Sequence, residues 1–156
     1  MMEILLTGFC GTSSELLVKK ANYKSIILPN NKVIDSQLLI EEIELREYNY
    51  IFCFGQKPNI KDRIYIETIA RNKSNRILTN FKYDRLKKVL EENNLTVHLS
   101  DNAGTSFCNA LYWNGLDYIY NNRLNAEMVF IHIPFSENIT DSELFFNQIL
   151  RAIENL

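Results

Sequence analysis

Four short, nearly uninterrupted apolar runs constrain this chain more than any other feature of it. They are EILLTG (Glu3–Gly8), KSIILP (Lys24–Pro29), YIFCFG (Tyr50–Gly55) and EMVFIHIP (Glu127–Pro134). Runs of four to eight apolar residues without alternation are what strands covered on both faces look like. Helix patterns separate them. Thr12 with Glu15 makes a capping box ahead of SSELLVKKA, and Thr140 with Glu143 makes another ahead of SELFFNQILRAIENL. Asp35–Tyr48 reads as an amphipathic helix with Leu39, Ile43 and Ile40 on one face, and Lys82–Asn94 and Cys108–Asn122 read as helices too. Leu95–Ser100 is a further strand. In Asp62–Ala70, Ile64, Ile66 and Thr68 alternate with Tyr65, Glu67 and Ile69, which is strand periodicity. That segment follows a strand with no helix between, so part of the sheet is expected to be antiparallel. The expectation is one α/β domain over residues 1–156. It would be a three-layer α/β/α sandwich with a twisted, mostly parallel mixed sheet and helices on both faces.

Composition excludes several function classes. Seventeen Lys and Arg stand against nineteen Asp and Glu, for a net charge of -2, so there is no basic footprint for nucleic acid. The pairs Lys19-Lys20 and Lys87-Lys88 sit among acidic residues and read as solvated helix faces. No apolar run approaches the ~20 residues of a membrane span. The N-terminal MMEILLTGF lacks the basic region and long apolar core of a signal peptide. Three cysteines (Cys10, Cys53 and Cys108) make an odd set without paired spacing, which argues against a disulfide framework and fits a reducing cytoplasm. No His/Cys/Asp cluster has zinc-ligand spacing, so no metal is expected. The loop TGFCGTSSE places glycines before a capped helix, but its spacing matches neither phosphate-binding glycine motif.

The candidate chemistry centres on NAGTSFCNALYW (Asn102–Trp113). Cys108 falls in the first turn of a helix. Backbone N–H groups and the helix dipole there favour thiolate, and the same N–H groups can hold an oxyanion. The pattern alone leaves Cys108 balanced between nucleophile and buried small hydrophobe. Cys53, flanked by Phe52 and Phe54, reads as a core thiol. Cys10 lies in the loop after the first strand, and its role stays open. A nucleophilic thiol needs a base, and the chain has two histidines, His98 in TVHLS and His132 in VFIHIP. Either could be a core residue, but His132 lies near the end of its strand, where sites form in open α/β sheets. Glu67 would be unremarkable on a solvent face. On a covered face it would need a partner, and a histidine would serve.

These residues line up with a family. AGTSFCN, VFIHIP, FGQ, IYIETIARN and the opening ILLTGF resemble the pyroglutamyl peptidase I (pyrrolidone-carboxylate peptidase) family. That family carries AGT-x-x-CN around its nucleophile, F-[IV]-H-[IV]-P around its histidine and E-R-V-A-I-N at its glutamate. The resemblance implies a cytoplasmic, cofactor-free cysteine peptidase, usually tetrameric, that removes an N-terminal pyroglutamyl residue from peptides; the alternatives are a catalytically degraded binding protein on this scaffold and a hydrolase of another small acyl amide. A homo-oligomer is therefore expected. It implies Cys108 as nucleophile, His132 as general base and acid, and Glu67 as the group orienting the imidazole. Phe9, Gln56 and Phe107 are the expected substrate contacts. Three stretches depart from the pattern. T-G-F-x-P-F-G-G becomes TGFCGTSSE, losing the second ring-clamping phenylalanine. G-Q-A-G-G-R becomes GQKPNI, and the segment between Asn72 and Lys82 is much shorter.

Overall fold

The structure, a computed structural model, describes residues 2–156. Its strands are β1 (Ile4–Phe9), β2 (Lys24–Leu28), β3 (Tyr50–Lys57), β4 (Ile64–Glu67), β5 (Ile69–Asn72), β6 (Asn75–Leu78), β7 (Val97–Ser100) and β8 (Glu127–Pro134). Its helices are α1 (Ser13–Lys20), α2 (Lys32–Leu45), α3 (Tyr83–Glu92), α4 (Phe107–Asn121) and α5 (Ser142–Glu154). Six strands form one sheet in the order β2-β1-β3-β8-β4-β7, parallel throughout except where β4 meets β8. The expected mixed sheet with one antiparallel junction is present. The apolar runs behave unequally. β1 is buried along its whole length and β3 and β8 nearly so, whereas β2 is an edge strand whose Lys24 and Ser25 are exposed.

Strand alternation sorts the sheet into two apolar layers. Leu6, Phe52, Phe54, Ile66, Val129 and Ile131 point to the face covered by α1, α3 and α5. Leu5, Ile51, Cys53, Met128 and Phe130 point to the face covered by α2 and α4. The period of two therefore puts Gly55, Lys57, Glu67 and His132 on the α2/α4 face, since each is an even number of residues from a core member of that layer or an odd number from the other.

Three local expectations are revised. The strand expected over Asp62–Ala70 breaks at Thr68. The Thr68 amide and hydroxyl both donate to the Ser100 carbonyl (2.7 and 3.0 Å), which turns the chain out of the sheet. It continues as the β5–β6 hairpin, laid against α4. The helix expected from Asp35 begins at Lys32 instead. Asn31 caps it by accepting from the Val33 and Ile34 amides, and Asp35 accepts in return from the Asn31 amide (3.1 Å). The last helix is capped by Asp141, whose carboxylate accepts from the Leu144 amide. Thr140 is occupied with Asp62. At α1 the cap is Thr12 as expected, although Glu15 accepts from the Gly11 amide rather than from Thr12.

Candidate active site

Two rows of side chains run across the sheet on the α2/α4 face, set by strand register. One row is Gly55 (β3), His132 (β8), Tyr65 (β4) and His98 (β7). The next is Cys53, Phe130, Glu67 and Ser100 on the same strands. Helix α4 lies over these rows and brings Cys108 down onto the first. A Cβ on Gly55 would stand 2.6 Å from the Cys108 sulfur, so the thiol occupies the space that a side chain there would fill. The sulfur thus sits on the strand neighbour of His132. Glu67 is on the adjacent row, diagonal to His132, within reach of a long side chain. Its Oε2 lies 3.7 Å from His132 Nδ1.

Glu67 is fully buried, and an unpaired carboxylate there would be costly. Three groups surround it. The Ser100 hydroxyl donates to Oε2 (2.9 Å). Lys57 Nζ stands 4.0 Å from Oε1 and 4.8 Å from the centroid of the Tyr65 ring. His132 is the third. Two buried atoms, Glu67 Oε1 and His132 Nδ1, lack hydrogen-bond partners. Each is bracketed by a contact just beyond hydrogen-bond length, to Lys57 and to Glu67 Oε2 respectively. A contraction of under about an ångström would satisfy both, the kind of tightening that substrate binding brings to such sites.

The surroundings of the Cys108 thiol oppose the helix-start effect. Burial, with the Cys53 thiol and the Glu67 carboxylate close by, pushes it up to about 12, and a contact with its own amide offsets this only in part. This push opposes the lowering that a helix start alone would give a thiol. The helix start still offers donors. Ser106 makes no side-chain cap, and the first in-helix bond from a backbone amide is that of Ala110 to the Ser106 carbonyl (3.2 Å), which leaves the amides of the preceding turn free.

A cleft of about 200 Å³ opens at this point, lined among others by Gln56, Asn102, Gly104, Cys108 and His132. Of the expected substrate contacts only Gln56 reaches it. The Gln56 side-chain carbonyl accepts from the Ser13 amide (3.1 Å), which ties it to the start of α1. Phe9 is 3% exposed and packs against Phe130, with ring centroids 6.4 Å apart; it does not line the cleft. Phe107 is on the outside of α4, 38% exposed, and does not line it either. Cys53 is buried, as expected, and Cys10 is exposed. Sequence reasoning passed over Lys57, Ser100, Gly55 and Asn109. Asn109 exchanges two hydrogen bonds with the Arg71 backbone (2.9 and 2.8 Å) and so clamps the β5–β6 hairpin to α4. Ser100 had a readable signal: it is the polar end of its strand.

No family model matches the chain. It is 26% identical over 175 residues to a pyrrolidone-carboxylate peptidase of Thermosipho melanesiensis, covering 88% of this chain and 85% of that one. Its fold superimposes on the pyrrolidone carboxyl peptidase of Fervidobacterium islandicum with a TM-score of 0.85 at 19% identity, covering 99% of this chain and 98% of the other. In sequence and in fold the chain is similar to the pyrrolidone-carboxylate peptidases. Pyroglutamyl peptidase I of Bacillus amyloliquefaciens has the same fold, with a TM-score of 0.86 at 20% identity over 97% and 95% of the two chains. In this chain the cleft carries the Lys57 ammonium and the carboxamides of Gln56 and Asn102, and no phenylalanine, tyrosine or tryptophan lines it. Among the described residues no helix is long and apolar enough to cross a membrane.

Proposed function

We propose that this protein is a cysteine peptidase that removes an N-terminal pyroglutamyl residue, acting in the reducing cytoplasm through Cys108, His132 and Glu67. The observation that carries the reading is the seat of the Cys108 sulfur on Gly55, the strand neighbour of His132, with Glu67 behind the imidazole. Because the thiol is pushed up, attack is coupled to proton transfer. As the sulfur bonds to the acyl carbon, its proton passes to the His132 imidazole. Glu67 steadies the imidazolium. Free amides at the start of α4 take the developing oxyanion. The carbon–nitrogen bond then breaks, and His132 returns the proton to the leaving amine. Water, deprotonated by the same imidazole, hydrolyses the thioester and regenerates the thiol.

A pyroglutamyl fluorogenic amide tests this, with Cys108→Ala as control. Turnover by the native protein and its loss by at least about 10³-fold in the variant are expected. Iodoacetamide reports on the thiol separately. With its proton held up to about 12, Cys108 alkylation should climb steadily from pH 7 to 10. A plateau above pH 8 would mean a preformed thiolate and overturn the coupled step. A second reading, a hydrolase of another small acyl amide, is favoured by one observation: Phe9 is buried in the core and contributes no wall to the cleft. A panel of acyl amides compared with the pyroglutamyl substrate separates the two.

A further inference from the structure

Beside the cleft lies a trough of about 510 Å³ that shares Asn102, Gly104 and Ser106 with it. Lys32, Arg71 and Lys73 line this trough, and no carboxylate does. The three cations come from three separate places, the start of α2, strand β5 and the two-residue turn between β5 and β6. Lys32 Nζ donates to the Thr105 carbonyl (3.2 Å), a neutral acceptor. Arg71 Nε donates to the Asp101 carbonyl (3.1 Å). The nearest acid is the Asp101 side chain, 3.9 Å from the Arg71 guanidinium; it is 73% exposed, so solvent weakens its hold. In a chain of net charge -2, three cations gathered around one depression without a lining acid form a local positive field.

The size of the cleft makes the trough matter. At about 200 Å³ the cleft has room for a small acyl group and its amide. The rest of a peptide must lie outside it, and the trough is continuous with it. We propose that the trough is an anion subsite for a carboxylate on the peptide whose N-terminal acyl group occupies the cleft. The substrate class is therefore short or acidic acyl-peptides, bearing either a C-terminal carboxylate or an acidic side chain near the cleaved bond. This rests on the peptidase reading above and adds to it a choice among substrates. Three solvated cations favour such substrates by about 5- to 20-fold in kcat/KM at low salt. The preference should fade at 0.5 M salt, where the screening length falls to about 4–5 Å.

The test compares pyroglutamyl-alanine, pyroglutamyl-glutamic acid amide and the neutral pyroglutamyl-alaninamide, in the native protein and in Lys32→Gln/Lys73→Gln. Both lysines are exposed, so folding should survive the change. The expected result is a carboxylate preference that collapses towards unity in the variant and in salt. The first two substrates tell a chain terminus from a side chain. An NMR titration of the Cys108→Ala protein with alanyl-alanine and with its amide needs no turnover. The acid, not the amide, should move the Asn72, Lys73 and Asn109 amides and the Trp113 indole. Equal rates together with equal shifts overturn the subsite and leave the peptidase reading standing. Selective shifts without hydrolysis of any pyroglutamyl substrate uphold the subsite and overturn that reading.

Discussion

His132 and His98 occupy the same cross-strand row, one on each side of Tyr65, and meet opposite fates. Tyr65 on β4 is in register with His132 on β8 and with His98 on β7, so all three side chains leave the same face of the sheet. His132 is 4% exposed, with its ring 4.9 Å from that of Phe130 and the start of α4 above it. His98 is exposed, two strands further out on the edge strand, with its ring 5.2 Å from Tyr65. Register chooses the face, and the helix above chooses which histidine meets a thiol. Their sequence surroundings, VFIHIP and TVHLS, differ mainly in how apolar they are, which is a trace of strand position rather than of chemistry.

The costliest substitution should be the one on the covered side of the row. Replacing His132 by Gln should lower kcat/KM on a pyroglutamyl amide by about 10⁴-fold, because the base beside the Cys108 proton is removed. A drop under tenfold would mean that another group takes the proton, and the difference between the two histidines would collapse. Glu67→Gln comes next, at about 10³-fold. The amide can still accept from Ser100, so the fold should hold, but the charge opposing the imidazolium is gone. A change confined to KM would instead make Glu67 a structural carboxylate.

Gly55→Ala probes the same covered side from the neighbouring strand. Its new Cβ would sit 2.6 Å from the Cys108 sulfur and 2.8 Å from Phe130 Cζ. Either α4 shifts or the thiol does. A displacement near 1 Å costs about 10²-fold in rate, and the overpacking costs about 1–3 kcal/mol in stability. Urea unfolding beside kinetics separates these. Activity kept at native levels would show that the thiol works from another position.

How far the sequence carried can be followed along these same rows. The central strands were legible because β1, β3 and β8 are covered on both faces, and full cover leaves an unbroken apolar run. The edge strand β2 gave a similar run and was read as equally covered, since a single run does not reveal whether a partner lies on both sides. Glu67 was legible as a residue in an alternating strand, but its face depended on strand order. The β5–β6 hairpin was not legible: RNKSNRIL carries little apolar signal, and the turn at Thr68 is made by a long-range carbonyl, that of Ser100. The upward push on the Cys108 thiol was not legible for a related reason. Helix-start position is local and visible, whereas the burial and neighbouring Cys53 and Glu67 that push the thiol up are products of packing.

The mildest outcome belongs to the open side of the row. His98→Gln should change kcat/KM by less than about twofold, the range expected of an exposed site away from catalytic contacts. Its ring touches Tyr65, and Tyr65 in turn lies under the Lys57 ammonium that faces Glu67, so a path of contacts to the site does exist. Its outer steps are partly solvated, and removing a solvated stacking partner at an edge strand shifts the remaining side chains by little. The measurement is a full pH–rate profile in the variant beside that of the native protein, run at low and high salt. Superimposable profiles leave His98 outside the chemistry. A displaced profile that salt restores would mean that the edge of the row speaks to its centre through Lys57, and that cover by α4 does not by itself separate the two histidines.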